Sequence, residues 1–148
     1  MRKTAIATVQ LALDPLDVAG QLQVLFALRG DATGNPTEGC AWSGDLHGAW
    51  RLHQHPDFVE LTQQVVDQVW TYLDAVGFER SQVALHLQRC WPVLSDWDQV
   101  VGRHHHPNAH LSAVLYLTGS GSGEEGVLRL QAPHRINELV PGLAVGHG

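Results

Sequence analysis

Cysteine is scarce in this chain: its 148 residues include two, Cys40 and Cys90. Two cysteines cannot build a disulfide scaffold, and with no Cys-x-x-Cys pair there is no thiolate zinc motif. Basic residues are also few, 9 against 15 acidic ones, and the net charge of −6 has the wrong sign for binding a nucleic-acid backbone. The N-terminal apolar run stops at Asp14-Pro15, so neither a signal peptide nor a membrane span is predicted. We therefore expect a cytoplasmic protein that binds neither nucleic acid nor membranes.

The overall composition is that of a folded protein. Hydrophobic residues make up 44% of the chain and charged residues 16%, which lies outside the range of disordered sequences. The length suits a single domain with its own hydrophobic core, so one domain over residues 1–148 is expected. Fifteen glycines and seven prolines indicate many turns.

Two segments have helical signals. Asp14 can cap a helix over residues 16–28 that has Pro15 at its first position and ends near Gly30. Residues 58–76 have apolar side chains at helical spacing, an Asp57 and Glu60 capping pair at the start and Gly77 at the end. Residues 31–48, rich in Gly, Thr, Asn and Asp, predict a long loop around Trp42.

Strand-like alternation occurs in several short stretches. Residues 83–91 alternate apolar and polar side chains before Pro92, which should end the strand. Further strands are predicted at residues 4–13, 103–106, 110–117 and 126–132, with a flexible connection over residues 119–126. Helices followed by strands with short connections predict an α+β fold in which an antiparallel sheet packs on helices.

Histidine is the unusual feature of the composition. Ten histidines occur, and several lie within residues 104–110, which read HHHPNAH. On an extended segment His104 and His106 point to one side and His105 to the other, so two imidazoles can share one metal ion. Two interpretations remain open at this point, a chelating pair and surface histidines without a ligand. The isolated histidines are interpreted as polar surface or structural residues: His47, His53, His55, His86 and His134.

The sequence around these histidines resembles a known enzyme family. The segment resembles the iron(II)/2-oxoglutarate-dependent oxygenases with an H-x-H-P…L-S-G-V-Y-Y-L signature. The matching residues are Trp91, Gly102, the run His104-His105-His106-Pro107, LSAVLYL over residues 111–117 and GVLRL over residues 126–130. The same stretch is similar to prolyl-hydroxylase-like oxygenases. Upstream, Trp42 to Gly44 and the HPDF segment at residues 55–58 resemble that family's N-terminal region.

The resemblance implies a fold and a site. The fold would be a mainly β double-stranded β-helix, or jelly roll, with flanking N-terminal helices. His104 would be the first iron ligand, and His106 stands where many relatives have a carboxylate. Tyr116 matches the tyrosine that contacts 2-oxoglutarate in the prolyl-hydroxylase-like relatives, and Ser112 shares its face of the strand. The implied cofactors are Fe(II) and 2-oxoglutarate.

The C-terminal region departs from the family pattern. The relatives continue to a strand with a distal histidine ligand and an arginine that pairs with 2-oxoglutarate, whereas only HRINELVPGLAVGHG follows Pro133 here. We therefore expect a jelly roll that lacks its final strands, with His147 as a fortuitous third ligand at most. An open sheet edge of this kind predicts a homodimer or completion by other residues.

Two functions remain in competition. The first is an Fe(II)- and 2-oxoglutarate-dependent dioxygenase that hydroxylates an unknown small molecule or peptide. The alternative is a non-catalytic, cupin-like metal-binding jelly roll or an inactive truncated oxygenase. A zinc hydrolase ranks last, since no H-E-x-x-H arrangement is present.

Overall fold

The computed structural model describes residues 6–31, 38–119 and 126–130. The chain separates into two compact units, Thr8–Leu115 and a second unit formed by Met1–Ala7 with Tyr116–Gly148. Every helix and strand described below lies in the first unit. In the second unit, the residues that the structure describes have irregular backbone. The expectation of one domain over residues 1–148 stays a prediction.

The first helix, α1, spans Pro15–Arg29 and confirms the predicted end signals. The Asp14 carboxylate accepts a hydrogen bond from the Leu16 N–H at 2.7 Å, which satisfies one of the free amide groups at the helix start. At the other end, Gly30 adopts a φ of 55°, and its N–H donates to the Phe26 carbonyl at 3.0 Å. Gln21 and Leu25 are the buried residues of this helix.

The second helix, α2, spans Val59–Ala75, one residue shorter at each end than predicted. The predicted capping by Asp57 is wrong. A short 3₁₀ turn, Pro56–Phe58, precedes the helix, and there the His55 ring accepts the Asp57 N–H at 3.3 Å. Because this turn runs directly into α2, the helix begins at Val59, and its N-cap residue Phe58 supplies no side-chain hydrogen bond.

The end of α2 follows the glycine signal. Gly77 adopts a φ of 91°, and its N–H donates to the Asp74 carbonyl at 3.1 Å. The Phe78 N–H donates to the Leu73 carbonyl at 3.0 Å. These two bonds form a Schellman motif, which confirms Gly77 as the stop.

The buried apolar residues come from both helices and from the segment before Gly44. Within the described ranges they are Leu25, Ala41, Trp42, Phe58, Leu61 and Leu73. Both helices contact the Pro56–Phe58 turn. Within α2 the predicted apolar stripe is buried at Leu61 and Leu73, and half-buried at Val65, Val69 and Tyr72 between them.

One small sheet positions the site. Strand β1, Trp42–Ser43, pairs antiparallel with β2, Val93–Leu94, with Trp42 opposite Leu94. Isolated bridges continue this contact on either side, from Cys40 to Val100 and from Arg51 to Cys90. The segment that leads to the histidines is thereby hydrogen-bonded to the segment that leads into α2.

Most of the strands expected from alternation are not formed in the described residues. No strand forms at residues 6–13, 83–89, 103–106, 110–117 or 126–130. Three predicted ranges also include residues that lie outside the described part of the chain: residues 4–5, 120–125 and 131–132. Pro92 does not end a strand, because β2 begins after it and its carbonyl accepts the Gly44 N–H at 2.9 Å. The range expected as a loop, 31–48, contains β1 and the 3₁₀ turn Gly44–His47. Alternation predicts which side chains share a face, whereas a strand also needs a hydrogen-bonded neighbour.

The jelly-roll expectation stays a prediction.

Among the residues that the structure describes, no helix is both long and apolar enough to span a membrane.

Candidate functional site

The predicted histidine pair lies together in the structure. The ring centroids of His104 and His106 are 4.9 Å apart, with the ring planes nearly perpendicular at 86°. Residues 101–110 have irregular backbone apart from a turn at residues 107–108, and all of them are exposed to solvent. The juxtaposition agrees with side chains two residues apart on an extended backbone. Because no paired strand forms here, the pair is exposed rather than enclosed as a barrel interior would require.

A backbone contact determines which nitrogen of His104 is available. The His104 Nδ1 lies 2.9 Å from the Gly102 carbonyl oxygen. A carbonyl can only accept, so Nδ1 carries the proton in this contact and Nε2 keeps its lone pair. A metal-binding histidine characteristically donates its other ring N–H to a backbone carbonyl in this way. The local geometry of His104 therefore fits a ligand that binds metal through Nε2.

His106 has a less polar environment than its neighbours. Its ring centroid lies 5.7 Å from that of Trp91. Partial burial, followed by the charges of His104 and His105, lowers the pKa of His106 below its usual 6.5, while Asp45 acts in the opposite direction. A lowered pKa keeps the imidazole neutral at pH 7, which is the form that binds a metal ion.

Asp45 is the residue that sequence reasoning missed. It lies in the Gly44–His47 turn, and its carboxylate accepts a hydrogen bond from Arg89 at 2.8 Å. Its side chain is 26% exposed, and its charge acts on His106. Asp45 lies in the range 31–48 that was predicted as a loop, and no spacing signal singled it out, because its partner Arg89 is 44 residues away in sequence.

The aromatic ring of Trp50 anchors the charges beside Asp45. The guanidinium of Arg51 lies 4.3 Å from the Trp50 ring centroid and that of Arg89 lies 5.5 Å from it. Such cation–π contacts hold an arginine side chain against a surface with little loss of hydration. Arg89 is therefore held on two sides, by the Trp50 ring and by the Asp45 carboxylate.

Two imidazoles supply two ligands, and an iron site of the implied type needs three. Within residues 6–31, 38–119 and 126–130, no group of three His, Cys, Asp or Glu side chains is arranged to hold one metal ion. His147 lies outside the described residues. The donor set described is therefore a fitting pair, with no third ligand among these residues.

The residues predicted to contact 2-oxoglutarate belong to different units, and each is described by itself. Ser112 is exposed on irregular backbone in the first unit. Tyr116 belongs to the second unit and is 54% exposed. Gly126 lies beside the Tyr116 ring, since a Cβ added at Gly126 would be 3.4 Å from a carbon atom of that ring.

Two of the histidines interpreted as polar surface or structural residues have aromatic contacts. His47 stacks on Trp42 at 5.5 Å, and His55 packs edge-on against Phe58 at 5.8 Å. His53 has a buried Nδ1 without a hydrogen-bond partner in the described part of the chain. His134 lies outside that part.

Comparison with protein families supports the resemblance seen in the sequence. Residues 89–142 match the family model described as "Putative 2OG-Fe(II) oxygenase". The match includes Trp91, the histidine run and Tyr116, and it does not reach the upstream segment at residues 42–58. Comparison with curated proteins and with solved structures gives no significant match. Over residues 89–142, therefore, this chain carries the pattern of the 2OG-Fe(II) oxygenase family, and the resemblance predicted from its histidine run is confirmed.

Proposed function

We propose that this protein is an Fe(II)- and 2-oxoglutarate-dependent dioxygenase that hydroxylates a small molecule or a peptide, with His104 and His106 as iron ligands. The observation that carries the proposal is the His104–His106 pair, 4.9 Å apart, inside the segment that matches the family. The jelly-roll fold belongs to the same proposal. The net charge of −6 supports a substrate other than nucleic acid.

The chain's own residues have separate roles in this proposal. His104 binds the ion through Nε2, because the Gly102 carbonyl orients its ring and keeps the proton on Nδ1. His106 binds as a neutral imidazole, a form that its partial burial favours by lowering its pKa. The resemblance assigns 2-oxoglutarate binding to Tyr116 and Ser112. Iron and 2-oxoglutarate, when bound, supply the oxidising chemistry that the side chains lack.

Position 106 gives this site its distinctive charge. Many relatives have a negatively charged carboxylate at this position, whereas the His106 imidazole is neutral. A bound iron ion would therefore have one negatively charged ligand fewer than in those relatives. Asp45 places a negative charge in the neighbourhood of His106, and Arg89 partly neutralises that charge. We therefore expect iron binding to be weaker than at a His-x-Asp site and expect His106→Asp to strengthen it.

The test is an anaerobic Fe(II) titration of the full chain, with and without 2-oxoglutarate. Binding of both together is expected to give a visible absorption band that neither gives alone. His104→Ala and His106→Ala should each remove the band. His105→Ala is the matched control, because it changes the neighbouring imidazole, which the period-two pattern predicts to point to the opposite side, and it should retain the band. Equal loss in all three variants, or a band that survives His104→Ala, contradicts the assignment.

A non-catalytic metal-binding module is the second candidate. It is favoured by the lack of a third ligand within the described ranges. Release of carbon dioxide from labelled 2-oxoglutarate separates the two functions. A chain that binds iron with the same histidine dependence and releases no carbon dioxide is the module, whereas iron-dependent release establishes the dioxygenase.

A further inference from the structure

Several arginines in the described part of the chain lie over aromatic rings. They are Arg29 on Phe26, Arg51 and Arg89 on Trp50, and Arg80 on Trp70. Three of these arginines also pair with an aspartate: Arg29 with Asp96 at 3.4 Å, Arg80 with Asp74 at 2.7 Å and Arg89 with Asp45 at 2.8 Å. A guanidinium that lies on a ring keeps N–H groups at its edge for a carboxylate, so the two contacts are compatible.

Arg51 is the exception among these arginines. Its guanidinium lies 4.3 Å from the Trp50 ring centroid, the shortest of the four distances. It forms no ion pair and no hydrogen bond with any residue that the structure describes. Arg89, on the same ring, donates to Asp45 through Nη1, and its other nitrogens have no partner in the described ranges. The ring therefore has two positive charges beside it and one negative charge, in a chain whose net charge is −6.

Backbone hydrogen bonds fix the arginine cluster, which consists of Trp50, Arg51 and Arg89. The Cys90 N–H donates to the Trp50 carbonyl at 3.0 Å, and the Leu52 N–H donates to the Cys90 carbonyl at 2.9 Å. Both arginine side chains are nevertheless exposed, so a dissolved ligand can reach them. Because the backbone and the ring already hold the guanidinium groups, binding a carboxylate costs less side-chain entropy than at a free arginine.

The arginine cluster lies beside the proposed iron site. Asp45 contacts Arg89, and its charge acts on His106. Trp91, two residues after Arg89, has its ring centroid 5.7 Å from that of His106. A molecule held by the cluster would therefore lie near the proposed iron ligands.

We propose that the arginine cluster binds a carboxylate group of the substrate, with Arg51 as the main contact and the free N–H groups of Arg89 assisting. The substrate meant is that of the proposed dioxygenase, on which this assignment rests, and its class is an organic acid or a peptide with an acidic side chain. Trp50 and Arg51 precede residues 89–142, the segment that matches the family. A position outside the shared pattern favours the substrate over 2-oxoglutarate as the ligand.

The test is a titration of the isotope-labelled full chain without iron, followed by the NMR signals of the Trp50 indole N–H and the arginine Nε–H groups. The probes are N-acetyl-glutamate amide and butyrate, with N-acetyl-glutamine amide as the uncharged match. Saturable shifts are expected with the carboxylates and not with the glutamine derivative. The tighter binder of the two carboxylates identifies whether a peptide side chain or a free acid is the source. Because no iron is used, failure here leaves the proposed function untouched.

Matched variants test the role of Arg51. Arg51→Gln should weaken binding of N-acetyl-glutamate amide about tenfold, because it removes a charged donor pair. Arg80→Gln is the control, since Arg80 also lies on a tryptophan ring but has Asp74 as its partner, and binding should change less than about twofold. Asp45→Asn should strengthen binding, because it releases Arg89 from its own carboxylate. Equal weakening by the two arginine variants, equal binding of the glutamine derivative, or no saturable shift overturns the proposal.

A second measurement separates the substrate from 2-oxoglutarate. In the anaerobic Fe(II) titration, Arg51→Gln should retain the absorption band that iron and 2-oxoglutarate give together in the wild type. Loss of the band in this variant, with Arg80→Gln unchanged, assigns the cluster to 2-oxoglutarate and overturns the proposal. If the wild type gives no band, the proposed function fails, and the iron-free titration still decides whether the cluster binds a carboxylate.

Discussion

Replacing Gly44 by alanine should destabilise the protein by an amount that the structure allows us to estimate. Gly44 is buried and is the first residue of the Gly44–His47 turn, directly after β1. A Cβ placed on it would lie 2.7 Å from the Pro92 Cδ atom and 2.9 Å from the Ala49 carbonyl oxygen. Real Cβ atoms essentially never approach other heavy atoms within 3.0 Å, so one of these groups must move.

Neither group can move freely. The Gly44 N–H donates to the Pro92 carbonyl at 2.9 Å, and the Gly44 carbonyl accepts the Ala49 N–H at 2.7 Å. Overpacking of this kind costs about 1–3 kcal/mol, and weakening one hydrogen bond adds about 1 kcal/mol. The free energy of unfolding should therefore fall by about 2–4 kcal/mol, which lowers Tm by roughly 4–16 °C in a domain of this size.

Urea unfolding followed by tryptophan fluorescence measures this loss, since Trp42 next to the site is 1% exposed. Gly20→Ala is the matched control. Gly20 is inside α1, nothing lies within 4 Å of an added Cβ, and alanine there should stabilise the helix by about 0.5–1 kcal/mol. If Gly44→Ala unfolds at the same urea concentration as the wild type, the close approach of Pro92 to Gly44 is refuted.

Three further predictions concern the helices and the thiol. Leu61→Ala should lower the free energy of unfolding by about 2–5 kcal/mol, because Leu61 is buried, and leave iron affinity of the folded protein unchanged; lost affinity at full stability would contradict its structural role. Burial raises the pKa of the Cys90 thiol above 9.0, so its iodoacetamide alkylation should need higher pH than in the urea-unfolded chain, and equal pH profiles would disprove this. The hydrogen bond from Arg80 lowers the pKa of Asp74 below 3.8. The contribution of this ion pair to the free energy of unfolding is therefore fully present above pH 3.8 and is lost as the pH falls through the lowered pKa. Arg80→Gln should raise the Asp74 pKa toward 3.8 in a carboxyl ¹³C NMR titration, and an unchanged value would rule out that cause.

Local signals in the sequence determined the two helices. Asp14 with Pro15 set the start of α1, Gly30 set its end, and Gly77 set the end of α2. Each of these signals acts within a few residues through the helix's own backbone groups, which is why it can be read without knowledge of the fold. The capping assignment to Asp57 failed because the 3₁₀ turn before α2 takes up the same backbone groups.

The histidine pair was also determined locally. His104 and His106 are two residues apart, so the period-two pattern predicts that they share one side, and their ring centroids lie 4.9 Å apart within the segment that matches the family model. Alternation elsewhere did not produce strands in the described residues, because pairing requires a partner at the right distance and register.

Tertiary structure alone decided the remaining features. The pairing of Trp42 with Leu94 and the contacts of Arg89 with Asp45 and with the Trp50 ring join residues that are far apart in sequence. No periodicity records such contacts, since each depends on how separate elements pack and on which buried groups find partners. Local sequence signals therefore predicted both ends of α1, the end of α2 and the proximity of the two imidazoles, whereas packing determined which charged residues lie near those imidazoles.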